Sequence, residues 1–116
     1  MRPLPPQSRI FVATAPIDFR KGIDGLAAVC RQVLGDNPLE GAIYGFRNRA
    51  GTALKLVLYD GQGAWLMMKR LSQGHLPGWP HSVDARVPLS ARERIMLLGN
   101  GNPERAQMAR EWRRVA

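Results

Sequence analysis

The sequence predicts an α+β fold: a mostly antiparallel sheet of about four strands, with one helix packed on a face and a C-terminal helix beside it. Three observations predict it. Short apolar runs separated by turn residues occupy 42–71, which is typical of hairpin strands. A 3.6-residue apolar period before them indicates a helix, and a helix-capping sequence begins at Ser90. The 116 residues favour one domain, which we assign to 1–101, followed by a basic tail at 102–116 that could be helical.

The first segment predicts a strand over 9–13, because Ile10, Phe11 and Val12 favour extended backbone and Pro16 ends the run. Asp18 then stands where a helix cap is expected. The helix that follows has an apolar face made of Ile23, Leu26, Ala27, Cys30, Val33 and Leu34. The sequence Gly35-Asp36-Asn37-Pro38 ends it.

Three strands are predicted next, over 42–47, 53–59 and 64–71, and the last two are joined by an Asp60-Gly61-Gln62-Gly63 turn. Pairing Gly45 with Lys55 divides the first two strands into two faces. One face holds Tyr44, Phe46, Leu54, Leu56 and Leu58, and the other holds Arg47, Lys55, Val57 and Tyr59. The register of the third strand stays open: either Trp65 and Lys69, or Leu66 and Arg70, join the basic face.

The segment 75–87 is irregular, with a short strand near 85–87 as one option. Ser90 and Glu93 form a capping-box pattern for a helix to about residue 98, and Gly99-Asn100-Gly101 ends it. The tail contains a group of bases: Arg105, Arg110, Arg113 and Arg114.

The net charge is +8, and fourteen of the 17 basic residues are Arg. Arg matches phosphate and guanine edges well, so the simplest partner is a nucleic acid, although a basic surface without a partner is the plain alternative. Cys30 is alone, so no disulfide forms within the chain. No apolar run approaches the roughly 20 residues of a membrane span, and the N-terminus lacks an apolar signal core, so we expect a cytoplasmic protein.

Two basic groups are candidates for contacting phosphates. The first follows the predicted sheet and consists of Arg47, Arg49, Lys55, Lys69 and Arg70. The second, Arg20 and Lys21, stands at the predicted start of the first helix, where backbone N–H groups can bind anions. The aromatic residues nearby are Tyr59, Trp65 and Trp79, which could stack on bases or anchor a protein interface. Core placement is the simpler interpretation for Trp65, and neither placement is preferred for Trp79.

Catalysis has little support in the sequence. The carboxylates that a metal-dependent nuclease would use are Asp18, Asp24, Asp60 and Asp84. However, Asp18 is a predicted cap and Asp60 belongs to a turn. His75 and His81 lack Cys or His partners at zinc-ligand spacing. We therefore expect no enzyme activity, metal, cofactor or small-molecule substrate.

Several motifs, in order, resemble one family. The sequence Asp18-Phe19-Arg20-Lys21-Gly22 resembles an opening Asp-Met-Arg-Lys-Gly signature, and Gly41 to Arg49 with Lys55 is similar to a Gly-x-x-x-x-Phe-Arg-Asn-Arg strand and its following Lys. Further matches are Tyr59-Asp60 with Gly63, Lys69-Arg70-Leu71, Trp79-Pro80 and the helix from Ser90 to Leu98. Over residues 9–98 the chain thus resembles the TnpB-type accessory protein of the IS66 group of bacterial insertion sequences, and 102–116 is outside the pattern.

The resemblance implies a role in transposition beside a separate, larger transposase. Our first hypothesis is a non-catalytic accessory factor that binds DNA through a basic sheet face, with RNA not distinguished from DNA. The alternative is an adaptor that binds the transposase, with Trp65, Trp79 and Met67 or Met68 as anchors. A third hypothesis, a metal-dependent nuclease using Asp18 and Asp60, is the least supported.

Overall fold

The computed structural model describes residues 9–98, so the predicted tail at 102–116 lies outside the described residues. Within residues 9–98 the chain forms five strands, two α-helices and one short 3-10 turn. In chain order they are β1 (Ile10–Ala13), α1 (Ile23–Gln32), the 3-10 turn (Pro38–Glu40), β2 (Ile43–Arg47), β3 (Ala53–Tyr59), β4 (Ala64–Arg70), β5 (Arg86–Pro88) and α2 (Ala91–Leu98).

The strands form one mixed sheet in the order β4-β3-β2-β1-β5. Neighbours pair antiparallel except β1 and β2, which are parallel and are connected through α1. The α+β class is therefore confirmed, whereas the expectation of about four mostly antiparallel strands is too simple. The sequence prediction missed the parallel pair because both partners of β1, the strands β2 and β5, are distant in sequence. The apolar pattern indicates where strands occur but not which strands pair.

Helix α1 begins later than predicted. Its N-cap is Gly22, which makes no side-chain capping bond. The predicted Asp18 cap is wrong, because the Asp18 carboxylate instead accepts the backbone N–H of Arg20 at 2.9 Å in a turn before the helix. Of the predicted apolar face, Leu26, Cys30 and Leu34 are buried, as expected. Val33 is instead 61% exposed, because the helix ends at Gln32 and Val33 is its C-cap.

The pairing of β2 with β3 differs by one residue from the prediction. Phe46 lies opposite Lys55, and Arg47 lies opposite Leu54. The turn between the strands explains the difference, because the Asn48 side-chain oxygen accepts the backbone N–H groups of Thr52 (2.9 Å) and Ala53 (3.2 Å). The shift places Lys55 on the same face as Phe46 and Arg47 on the opposite face with Leu54. Arg47 and Lys55 therefore do not share a basic face as predicted.

Each face of the sheet has its own core. The face under α1 buries Ala13, Leu26, Cys30, Leu34, Ala42, Tyr44, Phe46 and Val57. The face under α2 buries Ile10, Val12, Ile43, Leu54, Leu56, Leu58, Trp79, Leu89 and Leu97. Trp79 therefore belongs to the core, and its indole N–H donates to the carbonyl of Ala13 at 2.9 Å.

Strand β4 pairs with β3 so that Trp65, Met67 and Lys69 lie opposite Leu58, Leu56 and Leu54, on the α2 face. Leu66 and Arg70 consequently lie on the α1 face. Core placement of Trp65 is wrong: the residue is 44% exposed, on a strand at the edge of the sheet. The indole N–H donates instead to the Asp60 carboxylate at 2.8 Å.

Polar contacts hold the second half of the chain to the first. Arg86 of β5 forms an ion pair with Asp36 at 2.7 Å and lies 4.2 Å over the Phe11 ring. The Tyr44 hydroxyl donates to the same Asp36 at 3.1 Å, and burial together with this bond raises the pKa of Tyr44 to about 12. These contacts anchor β5, which has only three residues.

The predicted capping box is confirmed. The backbone N–H of Ser90 donates to the Glu93 carboxylate at 3.0 Å, and the backbone N–H of Glu93 donates to the Ser90 hydroxyl at 3.1 Å. Two backbone donors at the start of α2 are thereby satisfied.

Gly45 is required by close packing at the middle of β2. A Cβ there would lie 3.0 Å from a Val12 methyl and 3.2 Å from a Leu56 methyl. Because both side chains are buried in the α2-face core, we expect Gly45→Ala to lower the free energy of unfolding by about 1–3 kcal/mol in urea denaturation. Gly63→Ala is the matched control, since a Cβ added at Gly63 would meet nothing within 4 Å. Equal stability of the two variants would contradict this account.

Candidate nucleic-acid interface

The topology brings most of the candidate bases to one end of the sheet. Strands β1, β2 and β4 finish there, while β3 and β5 begin there. The bases at this end are Arg47 and Arg49 after β2, Lys69 and Arg70 at the end of β4, and Arg20 and Lys21 in the loop after β1. We call this group the basic end. It joins two sequence groups that were predicted separately.

A cleft of about 470 Å³ lies between the loop 14–22 and the turn 48–52. The two segments are held side by side by the backbone N–H of Ile17, which donates to the carbonyl of Arg47 at 3.0 Å. The cleft is lined by Pro16, Ile17, Asp18, Phe19, Asn48, Arg49 and Ala50. Arg49 therefore shares a cavity with the residues directly before Arg20 and Lys21.

Asp18, which lines the cleft, forms an ion pair with Arg20. The Arg20 Nη2 atom lies 2.6 Å from a carboxylate oxygen of Asp18, and Nε lies 3.0 Å from the same oxygen. The hydrogen bonds from the Arg20 side chain and backbone lower the pKa of Asp18 from 3.8 to about 2. The Arg20 side chain is nevertheless 91% exposed, so one face of its guanidinium remains open to an anion.

Lys55 has a structural role that the sequence did not indicate. The residue is 8% exposed, and its ammonium donates to the carbonyls of Phe19 (2.5 Å) and Lys21 (3.1 Å). The same ammonium lies 4.8 Å from the centre of the Phe19 ring, a cation–π distance. Lys55 thus fixes the loop that carries Arg20 and Lys21, and its charge points into the protein.

The remaining bases differ in exposure. Arg49, Arg70 and Lys21 are exposed. Arg47 is half-buried: one guanidinium nitrogen donates to the carbonyl of Thr14 at 3.3 Å, and its Nε has no hydrogen-bond partner among residues 9–98. Lys69 is also half-buried, and its ammonium donates to the carbonyl of Leu97 at 3.3 Å. The exposed bases are consequently the ones that a ligand would meet first.

The candidate aromatic residues are not grouped with these bases. Tyr59 and Trp65 lie at the opposite end of the β3–β4 hairpin, and Trp79 is buried. Phe19 is the aromatic ring that lines the cleft, and the sequence prediction missed it. Its position between Asp18 and Arg20 in the first motif was the available signal.

The carboxylates considered for a nuclease are dispersed. Asp18 lies at the basic end, whereas Asp60 occupies the turn at the other end of β3. There the Asp60 carboxylate accepts the Trp65 indole and the backbone N–H groups of Gln62 and Gly63, and these bonds lower its pKa. No three His, Cys, Asp or Glu side chains in the part of the chain that the structure describes are grouped to hold a metal ion.

No helix within residues 9–98 is long and apolar enough to cross a membrane.

The fold and this site define a small α+β protein whose basic residues converge on one end of a mixed sheet. The family model of IS66 Orf2-like proteins matches residues 8–108, and the chain belongs to this family, the TnpB-type accessory proteins of IS66 insertion sequences. The match extends to residue 108, beyond residue 98, where the motif resemblance ends.

Two uncharacterised proteins of Sinorhizobium fredii are similar to the chain. The protein y4hO is 38% identical over 90 residues, which cover 78% of this chain and 77% of that protein. The protein y4jC is 36% identical over 90 residues, covering 78% and 76%. No solved structure matches the chain.

Replacing Lys55 tests whether it fixes the loop. We expect Lys55→Met to lower the free energy of unfolding by about 2 kcal/mol, because two partly buried hydrogen bonds from a charged donor are lost while the aliphatic stem is retained. Chemical denaturation measures the loss. Lys21→Met, which removes an exposed charge from the same loop, should change stability by less than about 0.5 kcal/mol. If Lys55→Met is as stable as the unmodified protein, the buried ammonium does not hold the loop.

The Asp18–Arg20 pair should appear in a titration. Because the pKa of Asp18 is lowered in the folded protein, the pair stabilises the loop fully above the ordinary pKa of 3.8 and is lost as the pH falls toward 2. Carbon-13 NMR of the Asp18 carboxyl should give a pKa of about 2. In Arg20→Gln the value should return toward the ordinary range, and a titration unaffected by this substitution would contradict the pairing.

Proposed function

We propose that this protein is a non-catalytic accessory factor that binds DNA during transposition of an IS66-type insertion sequence. The family connects the chain with insertion-sequence transposition. The observation that supports DNA binding is the convergence of Arg20, Lys21, Arg49 and Arg70 at the basic end. Arg forks and a Lys ammonium in one exposed group are suited to phosphate oxygens.

The geometry favours contact with the DNA backbone over reading of bases. The basic residues lie on a loop, a turn and the end of a strand, while α1 and α2 each pack on a face of the sheet. A protein that reads bases usually inserts a helix or a strand ribbon into the major groove. Contacts from loops at a sheet end position a protein on a duplex without specifying its sequence.

The proposed contact surface is narrower than the sequence hypothesis. Lys55 is not included, because its ammonium is already bonded to two carbonyls. Tyr59 and Trp65 are not included either, because they lie about 20 Å from the basic end along the β3–β4 hairpin. Phe19, at the cleft wall, is the aromatic residue suited to a sugar or an unpaired base.

Charge reversal at the basic end tests the proposal. We expect Arg49→Glu and Lys21→Glu each to weaken binding to a fluorescent duplex and to reduce the slope of log affinity against log salt by about 1. Arg31→Glu is the matched control, because Arg31 is exposed in the last turn of α1, at the far end of the helix from the loop 14–22.

The duplexes should carry the element's terminal repeats in one case and a scrambled sequence in the other. Fluorescence anisotropy at two salt concentrations should show salt-sensitive binding to both, because backbone contacts carry little sequence information. Absence of binding at low salt, or an equal loss from Arg31→Glu and Arg49→Glu, would contradict DNA binding at the basic end.

An adaptor that binds the transposase is the second candidate. Two large apolar side chains on β4 favour it, since Trp65 is 44% and Met68 is 48% exposed. Exposed aromatic and Met side chains are enriched at protein interfaces. Copurification with the transposase from nuclease-treated extract, abolished by Trp65→Ala but retained in Arg49→Glu, would favour the adaptor over the DNA factor.

A further inference from the structure

Strand β4 is an edge strand with an open side. It has seven residues without a proline, and the sheet order places β3 on one side and no strand of residues 9–98 on the other. Its residues are all exposed or half-exposed. Long open edges offer unpaired backbone donors and acceptors to another strand, and natural proteins usually shorten or cover them.

The hydrogen bonds at the two ends of the hairpin show which backbone groups are on the open side. The N–H of Asp60 donates to the carbonyl of Gly63 at 3.0 Å, and the N–H of Leu71 donates to the carbonyl of Thr52 at 2.9 Å. In an antiparallel ladder every second pair exchanges hydrogen bonds. Trp65, Met67 and Lys69 therefore bond to β3. The alternate residues, whose N–H and C=O groups point away from β3, are Ala64, Leu66, Met68 and Arg70.

We propose that this edge pairs antiparallel with β4 of a second copy of the chain, with Ala64 opposite Arg70 and Leu66 opposite Met68. The four outward residues are symmetric about Met67, so a two-fold axis at Met67 lets each outward residue face an outward residue of the other copy. All four pairs can then exchange hydrogen bonds. The interface is independent of whether the protein binds DNA.

The charges of the strand favour the antiparallel direction. Lys69 and Arg70 lie at one end of β4, whereas the other end adjoins the turn that carries Asp60. Antiparallel pairing brings the basic end of each strand toward the neutral Ala64 and the acidic turn of the other copy. Parallel pairing would align Arg70 with Arg70, which is destabilising for directly opposed like charges.

This register also pairs the exposed apolar side chains of one copy with apolar side chains of the other. Met68, 48% exposed, would face Leu66 of the second copy, and the half-buried Met67 would face its own equivalent. Trp65 would lie opposite the stem of Lys69 of the second copy in a pair that exchanges no hydrogen bonds, where side chains approach most closely. The two basic ends of such a dimer point in opposite directions.

The test is the oligomeric state of the full chain, free of nucleic acid, by sedimentation velocity over a dilution series. We expect a dimer that dissociates on dilution. Ala64→Arg places two pairs of Arg side chains face to face and should weaken the dimer at least tenfold. The double variant Ala64→Arg, Arg70→Glu should restore it, because each new Arg then faces a Glu of the other copy.

These variants report on the interface and not on the fold. Within one chain residues 64 and 70 are about 20 Å apart along the strand, so only an antiparallel partner brings them together. Ala64 and Arg70 are both exposed, and circular dichroism should show unchanged secondary structure in the single and double variants.

Amide hydrogen exchange adds a readout at single residues. The outward amides of Leu66 and Met68 should gain protection as protein concentration rises, while those of Trp65 and Met67, bonded to β3, should stay constant.

A chain that is monomeric up to its solubility limit would overturn the proposal. A dimer insensitive to Ala64→Arg, or a double variant no better than the single one, would overturn it as well. So would protection of Leu66 and Met68 only after transposase is added, which would assign the edge to that protein.

Discussion

The turn between β2 and β3 sets the pairing of the central strands, and the rest of the site depends on that pairing. The Asn48 side chain accepts two backbone N–H groups, and its amide donates to the Thr52 hydroxyl at 2.9 Å. With Asn48 bonded in this way, Phe46 faces Lys55. A shift of one residue would turn Lys55 to the α2 face and remove the ammonium from the loop that it holds. The cleft beside Arg49 exists because this turn and that loop are fixed relative to each other.

Buried and exposed charges therefore have different functions in this small protein. Lys55 and the Arg86–Asp36 pair connect segments that are distant in sequence, and their charges are satisfied within the fold. Arg49 and Arg70 have exposed side chains on a turn and at a strand end. A buried cation needs acceptors, which backbone carbonyls supply to Lys55 at little conformational cost. The net charge of +8 therefore overstates the charge that a partner can contact, because the Lys55 ammonium is buried and bonded within the fold.

Features that depend on neighbouring residues were predictable from the sequence. The capping box of Ser90 and Glu93 and the buried face of α1 follow from spacings within one or two turns. The β2–β3 register was not predictable, because both registers place apolar side chains on a common face, and the Asn48 and Lys55 bonds that distinguish them leave no mark on the apolar pattern. The structural role of Lys55 was not predictable either, because its acceptors, the carbonyls of Phe19 and Lys21, lie 36 and 34 residues away in sequence. Likewise, grouping of the bases at one sheet end depends on the parallel pairing of β1 with β2, which no local pattern encodes.

The position of β1 also constrains the order in which the chain can fold. Strands β2, β3 and β4 are consecutive and antiparallel, so they can pair through short turns soon after they are synthesised. Strand β1 is made first but has β2 on one side and β5 on the other, and Phe11 pairs with Pro88 across nearly the whole described chain. Closing so long a loop is slow compared with hairpin formation. Within residues 9–98, β5 pairs with β1 and with no other strand, so it can join the sheet only after β1 has paired with β2. The hydrogen bond from the Trp79 indole to the Ala13 carbonyl likewise forms only after β1 has joined the sheet.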